Sequence, residues 1–260
     1  FMLRGKSKFI GPELKYSSAG RWYASVFNSK EKKQISRELD FYTSFLPACS
    51  LIFDIGANDG HKTAAFAVLA NKVIACEPDP KNIGILNARF KKQTGVSIEP
   101  IAVSDQIGTT DLYVHESGSA VNTINPEWKR ILEKENNGRW DKPILFSDTS
   151  IKVNTTTLDQ LIVKHGVPDY IKIDVEGNEL NVLKGLSQPV QFISFEVLLP
   201  EFRHDALVCI DLIRQLNQHA VFNYAGEEKL VLTSFKEYDE FKSIINELNI
   251  SHLEILAAAL

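Results

Sequence analysis

Cysteine is scarce, with three among 260 residues. Cys49, Cys76 and Cys209 are odd in number and far apart, which excludes a disulfide framework and a clustered zinc site and suits a reducing, cytoplasmic setting. No apolar run reaches the roughly 18 to 20 residues that span a bilayer. The start also lacks a positive-then-apolar export signal, so a soluble protein without a membrane partner is expected. A dominant charge is missing too: 29 Lys and Arg face 33 Asp and Glu, for a formal net charge of -4. Nothing in that balance calls for a polyanion, and nucleic acid is not an expected partner. Internal repeats and low-complexity tracts are absent, which removes fibrous and disordered classes.

What is present is a hydrophobic content of 44%, enough for one sizeable core and for one domain or one domain with an insertion. Residues 1–34 read as an N-terminal extension, polar and mixed, with Arg21, Trp22 and Tyr23 clustered; Glu38–Phe45 is a candidate helix leading into the domain. Residues 35–256 read as the domain proper. From residue 51 onward, short β-rich apolar runs alternate with helical stretches, the signature of βαβ units. The expected fold is α/β: a doubly wound, mostly parallel sheet. Its strands are Leu51–Ile55, Lys72–Cys76, Val96–Val103, Tyr170–Val175 and Phe192–Val197, with Val221–Tyr224 and Leu230–Ser234 as an antiparallel C-terminal pair. Thr109–His115 reads as an extra strand and Trp128–Asn137 as a polar helix. Residues 117–149, rich in Asn, Gly, Ser and charge, read as an insertion acting as a lid. Phe1-Met2 and residues 257–260 (Ala-Ala-Ala-Leu) look vector-derived and are left out of the expected fold.

The strongest local motif is Asp54-Ile55-Gly56-Ala57-Asn58-Asp59-Gly60, between an apolar strand and a helix. Glycines there allow a sharp turn and close approach to a ligand, and the amides of the helix start attract an anionic group. The middle glycine of G-x-G-x-x-G is absent, which fits a dinucleotide pyrophosphate less well, and Gly60-His61-Lys62 is not a P-loop ending. Glu77 closes the second strand, where a carboxylate can accept both hydroxyls of a ribose. Ser104 and Asp105 are expected at the end of the third strand, placed to accept from an adenine amine. In Asp169–Gly177, Lys172 and Asp174 interrupt a strand that should be buried on both faces; unpaired charge there is costly, so these groups are paired or line a cavity. Asp174 and Glu176 fall at the strand's carboxyl end, and Glu196 brings a third carboxylate from the next strand.

Taken together, Asp54–Gly60, Glu77–Pro80, Ala102–Gly108, Thr156-Leu158-Asp159 and Ile171–Gly177 resemble the FkbM family of methyltransferases over about residues 35–200. The resemblance implies an S-adenosylmethionine fold, with Asp54, Gly56, Asn58 and Gly60 at the cofactor's amino-acid end, Glu77 on its ribose and Ser104 and Asp105 near its adenine. It further implies O-methylation of a sugar, polyketide or related hydroxylated small molecule. Such an acceptor needs a base. Asp174 is the preferred candidate, with Glu176, Glu196 and His115 as others, and a divalent metal bridging Asp174, Glu176 and Glu196 as a variant. Two other readings stay open: a nicotinamide-dependent oxidoreductase on the same sheet, and a non-catalytic module that binds S-adenosylmethionine.

Overall fold

The computed structural model describes residues 29–134 and 144–259. Helix α1 (Ser29–Thr43) precedes strand β1 (Cys49–Ile55), helix α2 (His61–Leu69), strand β2 (Ala70–Cys76), helix α3 (Pro80–Phe90) and strand β3 (Val96–Glu99). The second half resumes with α5 (Leu158–His165), β7 (Tyr170–Ile173), α6 (Glu179–Lys184), β8 (Phe192–Leu198), α7 (Arg203–Leu216), β9 (Ala220–Gly226), β10 (Lys229–Leu230), α8 (Tyr238–Glu247) and β11 (His252–Ala259). Between the halves lie β4 (Ala102–Val103), β5 (Gly108–Leu112), α4 (Pro126–Lys134) and β6 (Ile151–Thr156).

Eight strands form the main sheet in the order β10-β9-β11-β8-β7-β1-β2-β3. From β8 to β3 all neighbours run parallel, whereas β11 lies antiparallel between β8 and β9. Chain direction across the sheet reverses between β1 and β7, the kind of crevice where open α/β sheets bind ligands. Strand β1 is apolar on both faces because both are covered: Ile52 packs with Ala64, Phe66 and Leu86, while Phe53 and Ile55 pack with Leu158, Ile171 and Val182. Asp54 therefore points toward α2, where Thr63 donates to its Oδ2 at 2.5 Å. Helix α3 starts as its sequence predicts. Pro80 occupies the first turn, and Asp79 caps the helix by accepting from the Lys81 amide, each serving amide groups that a helix start leaves unbonded.

Three expectations need correction. The anticipated strand Val96–Val103 is two strands, because Pro100 cannot donate to a sheet ladder; β3 stays in the main sheet, and β4 joins a three-stranded sheet, β4-β6-β5. The C-terminal pair is also different: β10 is only two residues long, and the long partner of β9 is β11. That strand includes Ala257, Ala258 and Ala259, three of the four residues set aside as a tail. Leu253, Ile255 and Ala257 join the core on one face of the sheet, and Leu256 and Ala258 join it on the other. Helix α4, expected to be polar, buries Trp128, Ile131 and Leu132. The Arg21–Tyr23 cluster lies outside the described residues, as do residues 135–143 of the expected insertion. Among the described residues, no helix is long and apolar enough to cross a membrane.

Candidate functional site

Where β1 and β7 diverge, a cavity of about 240 Å³ opens at their carboxyl ends. Gly56 and Asn58 line it from the loop after β1, Glu77 from the end of β2, Asp174 and Glu176 from the end of β7, and Glu196 from β8. Ala102 and Val103 contribute an apolar stretch, and Ser119, Asn122 and Thr123 a polar one. Six of the residues anticipated from the sequence thus meet at one place.

The loop's geometry explains its glycines. Gly56 has φ +85, and a Cβ there would stand 1.7 Å from the Asp174 carbonyl oxygen, so no side chain fits where the β1 loop crosses the β7 loop. Gly60 also has positive φ, and a Cβ there would meet Leu86 and Phe90 at 2.6 Å; its role is packing under α3, and it does not line the cavity. Asp54 is likewise behind the wall. Its Oδ1 is buried without a partner among the described residues, and burial raises its carboxyl above the ordinary range.

Glu77 is fixed by backbone amides, Asn58 N–H donating to Oε2 at 2.8 Å and Asp79 N–H to Oε1 at 2.7 Å. Burial pushes its carboxyl up to about 7, the two amides opposing that rise. Each carboxylate oxygen keeps accepting capacity after one bond. Asp79 then ties the polar wall down: its Oδ2 accepts from the Gly118 amide at 3.0 Å and from Asn122 Nδ2 at 2.7 Å. Thr123 donates to the Glu176 carbonyl at 2.7 Å, which fastens the same segment to the β7 loop.

The acids of β7 and β8 are held differently. Lys62, from the first turn of α2, donates to Asp174 Oδ2 at 3.0 Å and to Glu196 Oε1 at 2.7 Å. Lys172, fully buried within β7, reaches the same two oxygens at 2.5 and 3.4 Å. His252 at the start of β11 pairs with Glu196 Oε2 at 3.0 Å. Burial works against charge on Glu196, yet Lys172, Lys62 and His252 outweigh it and hold the carboxyl well below its usual range. Burial likewise opposes the Lys62 ammonium, and Asp174 and Glu196 outweigh it, keeping Lys62 well above the lysine range. Glu176 forms no ion pair among the described residues: burial, then Asp174 and Glu196, raise its carboxyl well above normal, with Lys172 only partly opposing them. It also sits at φ +54, a backbone conformation unusual for a glutamate. His61 bridges Asp59 and Glu38 at 2.9 and 3.2 Å; burial lowers it, but those two acids raise it on balance to about 9.

Some anticipated residues lie elsewhere. Because β4 leaves the main sheet, Ser104 and Asp105 do not line this cavity; they line a second, more open groove with Thr109, Asn178 and Asn181. His115 turns its Nδ1 to the Leu145 carbonyl at 2.6 Å and is also absent from the cavity wall. As for a bridging metal, the place between Asp174 and Glu196 is taken by the Lys62 ammonium, and no cluster of three His, Cys, Asp or Glu side chains fit to hold an ion occurs among the described residues. Lys62, His61, His252 and Asn82 were not anticipated as site residues. Lys62 lies two residues past Gly60, a spacing that puts it on the first turn of the helix that follows the loop; His252 comes from the strand with the weakest sequence signal.

Residues 54–241 match the profile of the methyltransferase FkbM domain. Over 150 residues the chain is 25% identical to the hexuronic acid methyltransferase AglP of Haloferax volcanii, a match covering 57% of this chain and 54% of that one. The chain thus spans about half the length of this curated relative. Among solved structures, the methyltransferase FkbM from Methylobacillus flagellatus superposes with TM-score 0.47 and 12% identity, covering 92% of this chain and 57% of the other. A precorrin-6y C5,15-methyltransferase from Geobacter metallireducens gives 0.42 and 11%, with 90% of each chain covered.

Proposed function

Because the chain belongs to the FkbM methyltransferase family, we propose that it uses S-adenosylmethionine to methylate a hydroxyl group on a small acceptor: a sugar, a polyketide or a related metabolite. Family membership favours this reading over a nicotinamide-dependent oxidoreductase and over a non-catalytic module that binds the cofactor. The observation that carries the reading is the convergence of Gly56, Asn58, Glu77, Asp174, Glu176 and Glu196 on one cavity.

The residues suit the cofactor. Asn82 lines the cavity and is 2% exposed, yet its Oδ1 has no partner among the described residues. A buried acceptor left unsatisfied is costly, so a ligand N–H or O–H there supplies what the protein does not. Glu77, in its ionised form, has lone pairs to spare for a ribose diol. Gly56 and Asn58 would hold the amino-acid end, and Ala102 and Val103, rather than Ser104 and Asp105, offer an apolar surface for the base. Asp54 and Gly60 support this loop from behind. When bound, the cofactor supplies an electrophilic methyl group.

The protein's own task is to position the acceptor oxygen and remove its proton. We assign the base to Glu176 instead of Asp174. Asp174 and Glu196 are engaged by two lysines, whereas Glu176 lines the cavity in surroundings that favour its protonated form, which strengthens it as a proton acceptor. Three cysteines, all free and buried, fit a cytoplasmic setting.

Calorimetry with S-adenosylhomocysteine is the direct test. Binding to the wild-type chain, with no heat from NAD or NADP, is the expected result. No binding of S-adenosylhomocysteine overturns the reading.

A further inference from the structure

Helix α1 stands before the stretch that matches the family domain, which begins at residue 54. It packs on α2 through Ile35, Leu39 and Tyr42, Tyr42 meeting Phe66 with ring centroids 4.7 Å apart. Helical spacing puts Glu38 on the same stripe, and it is 2% exposed. A carboxylate on a packing face costs stability unless it is paired, so packing alone does not account for it. Its partner is His61 of the cavity wall, whose Nε2 lies 3.2 Å from Glu38 Oε1 while its Nδ1 lies 2.9 Å from Asp59 Oδ1. An imidazolium donates from both ring nitrogens, one bond to each acid. A second arm runs through Arg89 of α3, which pairs with Glu31 at 3.0 Å and with Asp59 at 3.4 Å, and also donates to the Asp59 carbonyl. Both arms from α1 end on Asp59. Its neighbour Asn58 has φ +48, a left-handed backbone, and gives its amide to Glu77 Oε2. Backbone of that kind persists where its surroundings hold it.

We propose that α1 belongs to the cofactor site: Glu38 is a positioning residue that acts through His61 and Asp59 to hold Asn58 and Glu77 in their binding arrangement, so that docking of α1 and binding of the cofactor reinforce each other. This rests on the methyltransferase reading and adds to it an element from outside the matched domain. Arg37, on the exposed side of the same helix, pairs with Glu228 at 3.8 Å and lies outside this path.

The test is calorimetry with S-adenosylhomocysteine on the full chain and a double-mutant cycle. Glu38→Gln, which keeps the shape and removes the charge, should weaken binding by roughly 10-fold, and His61→Gln by a similar factor. The double variant should bind within about 2-fold of either single one, because one path is broken twice. Arg37→Gln should stay within about 2-fold of the wild-type chain. Coupling is reciprocal, so S-adenosylhomocysteine should slow backbone amide exchange across Ser29–Thr43 of the wild-type chain by a comparable factor, a readout that needs no variant to fold. No loss in either single variant, losses that multiply to about 100-fold in the double variant, an Arg37→Gln loss as large as that of Glu38→Gln, or unchanged exchange in α1 would overturn the coupling. Failure of the wild-type chain to bind S-adenosylhomocysteine at all is a distinct result: it removes the cofactor reading itself, and the role of α1 falls with it.

Discussion

The carboxylates at the two sides of the cavity are kept in place by opposite means. At the end of β2, Glu77 is held by two uncharged amides, and burial leaves its carboxyl at about 7. Glu179, one turn past β7, follows the same rule: the amides of Val175 and Gly177 donate to its Oε1, and burial, opposed by those bonds, leaves it at about 7. At the ends of β7 and β8, Asp174 and Glu196 are held by Lys62 and Lys172, and Glu196 stays well below its usual range despite burial. Neutral donors orient an acid and leave it able to change charge near neutrality; lysines orient it and fix the charge. The first arrangement suits a group that must adapt to a ligand, the second a group whose field stays constant, which is what the proposed base, Glu176, would need beside it.

The largest effects should come from breaking the joint between the two sides. Gly56→Ala puts a methyl group 1.7 Å from the Asp174 carbonyl oxygen at φ +85. The backbone strain and the clash together should cost at least ~3 kcal/mol, read as a large drop in the midpoint of denaturant unfolding. Next comes Lys172→Met. Methionine fills much of the volume, but Asp174 is left with Lys62 alone and Glu196 with Lys62 and His252, and breaking a buried charge cluster costs roughly 3 kcal/mol. Adding Asp174→Asn to that variant should recover part of the loss. If it recovers nothing, charge imbalance is not the cause.

The amide-held acids make a prediction of opposite sign in pH. Glu179 rises from an ordinary value of 4.5 to about 7 in the fold, so between those values the native state binds the extra proton. Its contribution is present in full below about 4.5 and is lost as pH rises through about 7, by roughly 3 kcal/mol at the limit. Glu179→Gln cannot titrate and should therefore lose less stability than the wild-type chain between pH 5 and 8, measured as unfolding midpoints at each pH. Parallel curves for the two proteins would show that the amides fully offset burial. At Glu77 the effect falls on binding: Glu77→Ala should weaken S-adenosylhomocysteine by roughly 1–3 kcal/mol in calorimetry.

Most of the sheet was readable in the sequence because its signals are local. Leu51–Ile55 and Tyr170–Ile173 are dense apolar runs ended by Gly-containing turns, and Pro80 marks a helix start beside its cap. The convergence of Glu77, Asp174 and Glu196 followed from a single rule about strand ends. What stayed hidden depends on contacts distant in the chain. Strand β11 ends in alanines, weak strand formers in isolation, and becomes a strand because β8 and β9 pair with it on both sides along its length. Lys62 gives no sign in sequence that it reaches residues more than 100 positions away, so the sequence leaves open whether Asp174 is paired or lines the cavity and favours it as the base, whereas it is ion-paired to two lysines. Pro100 is visible in the sequence, and its missing N–H argues for a break within Val96–Val103.

That break sets the smallest predicted effect. If Ser104 lay at the edge of the main sheet against the adenine, its removal would cost a hydrogen bond to the ligand, about 1 kcal/mol. Instead β4 carries it into the three-stranded sheet, where its hydroxyl donates to Asp105 Oδ1 at 3.2 Å and accepts from Asn178 at 3.5 Å, at the edge of the other groove. Ser104→Ala should then change S-adenosylhomocysteine affinity by less than ~0.5 kcal/mol, while Glu77→Ala in the same titration shows its full loss. A Ser104→Ala penalty matching that of Glu77→Ala would mean that the ligand reaches past Val103, and that the apolar stretch Ala102-Val103 is not where the base rests.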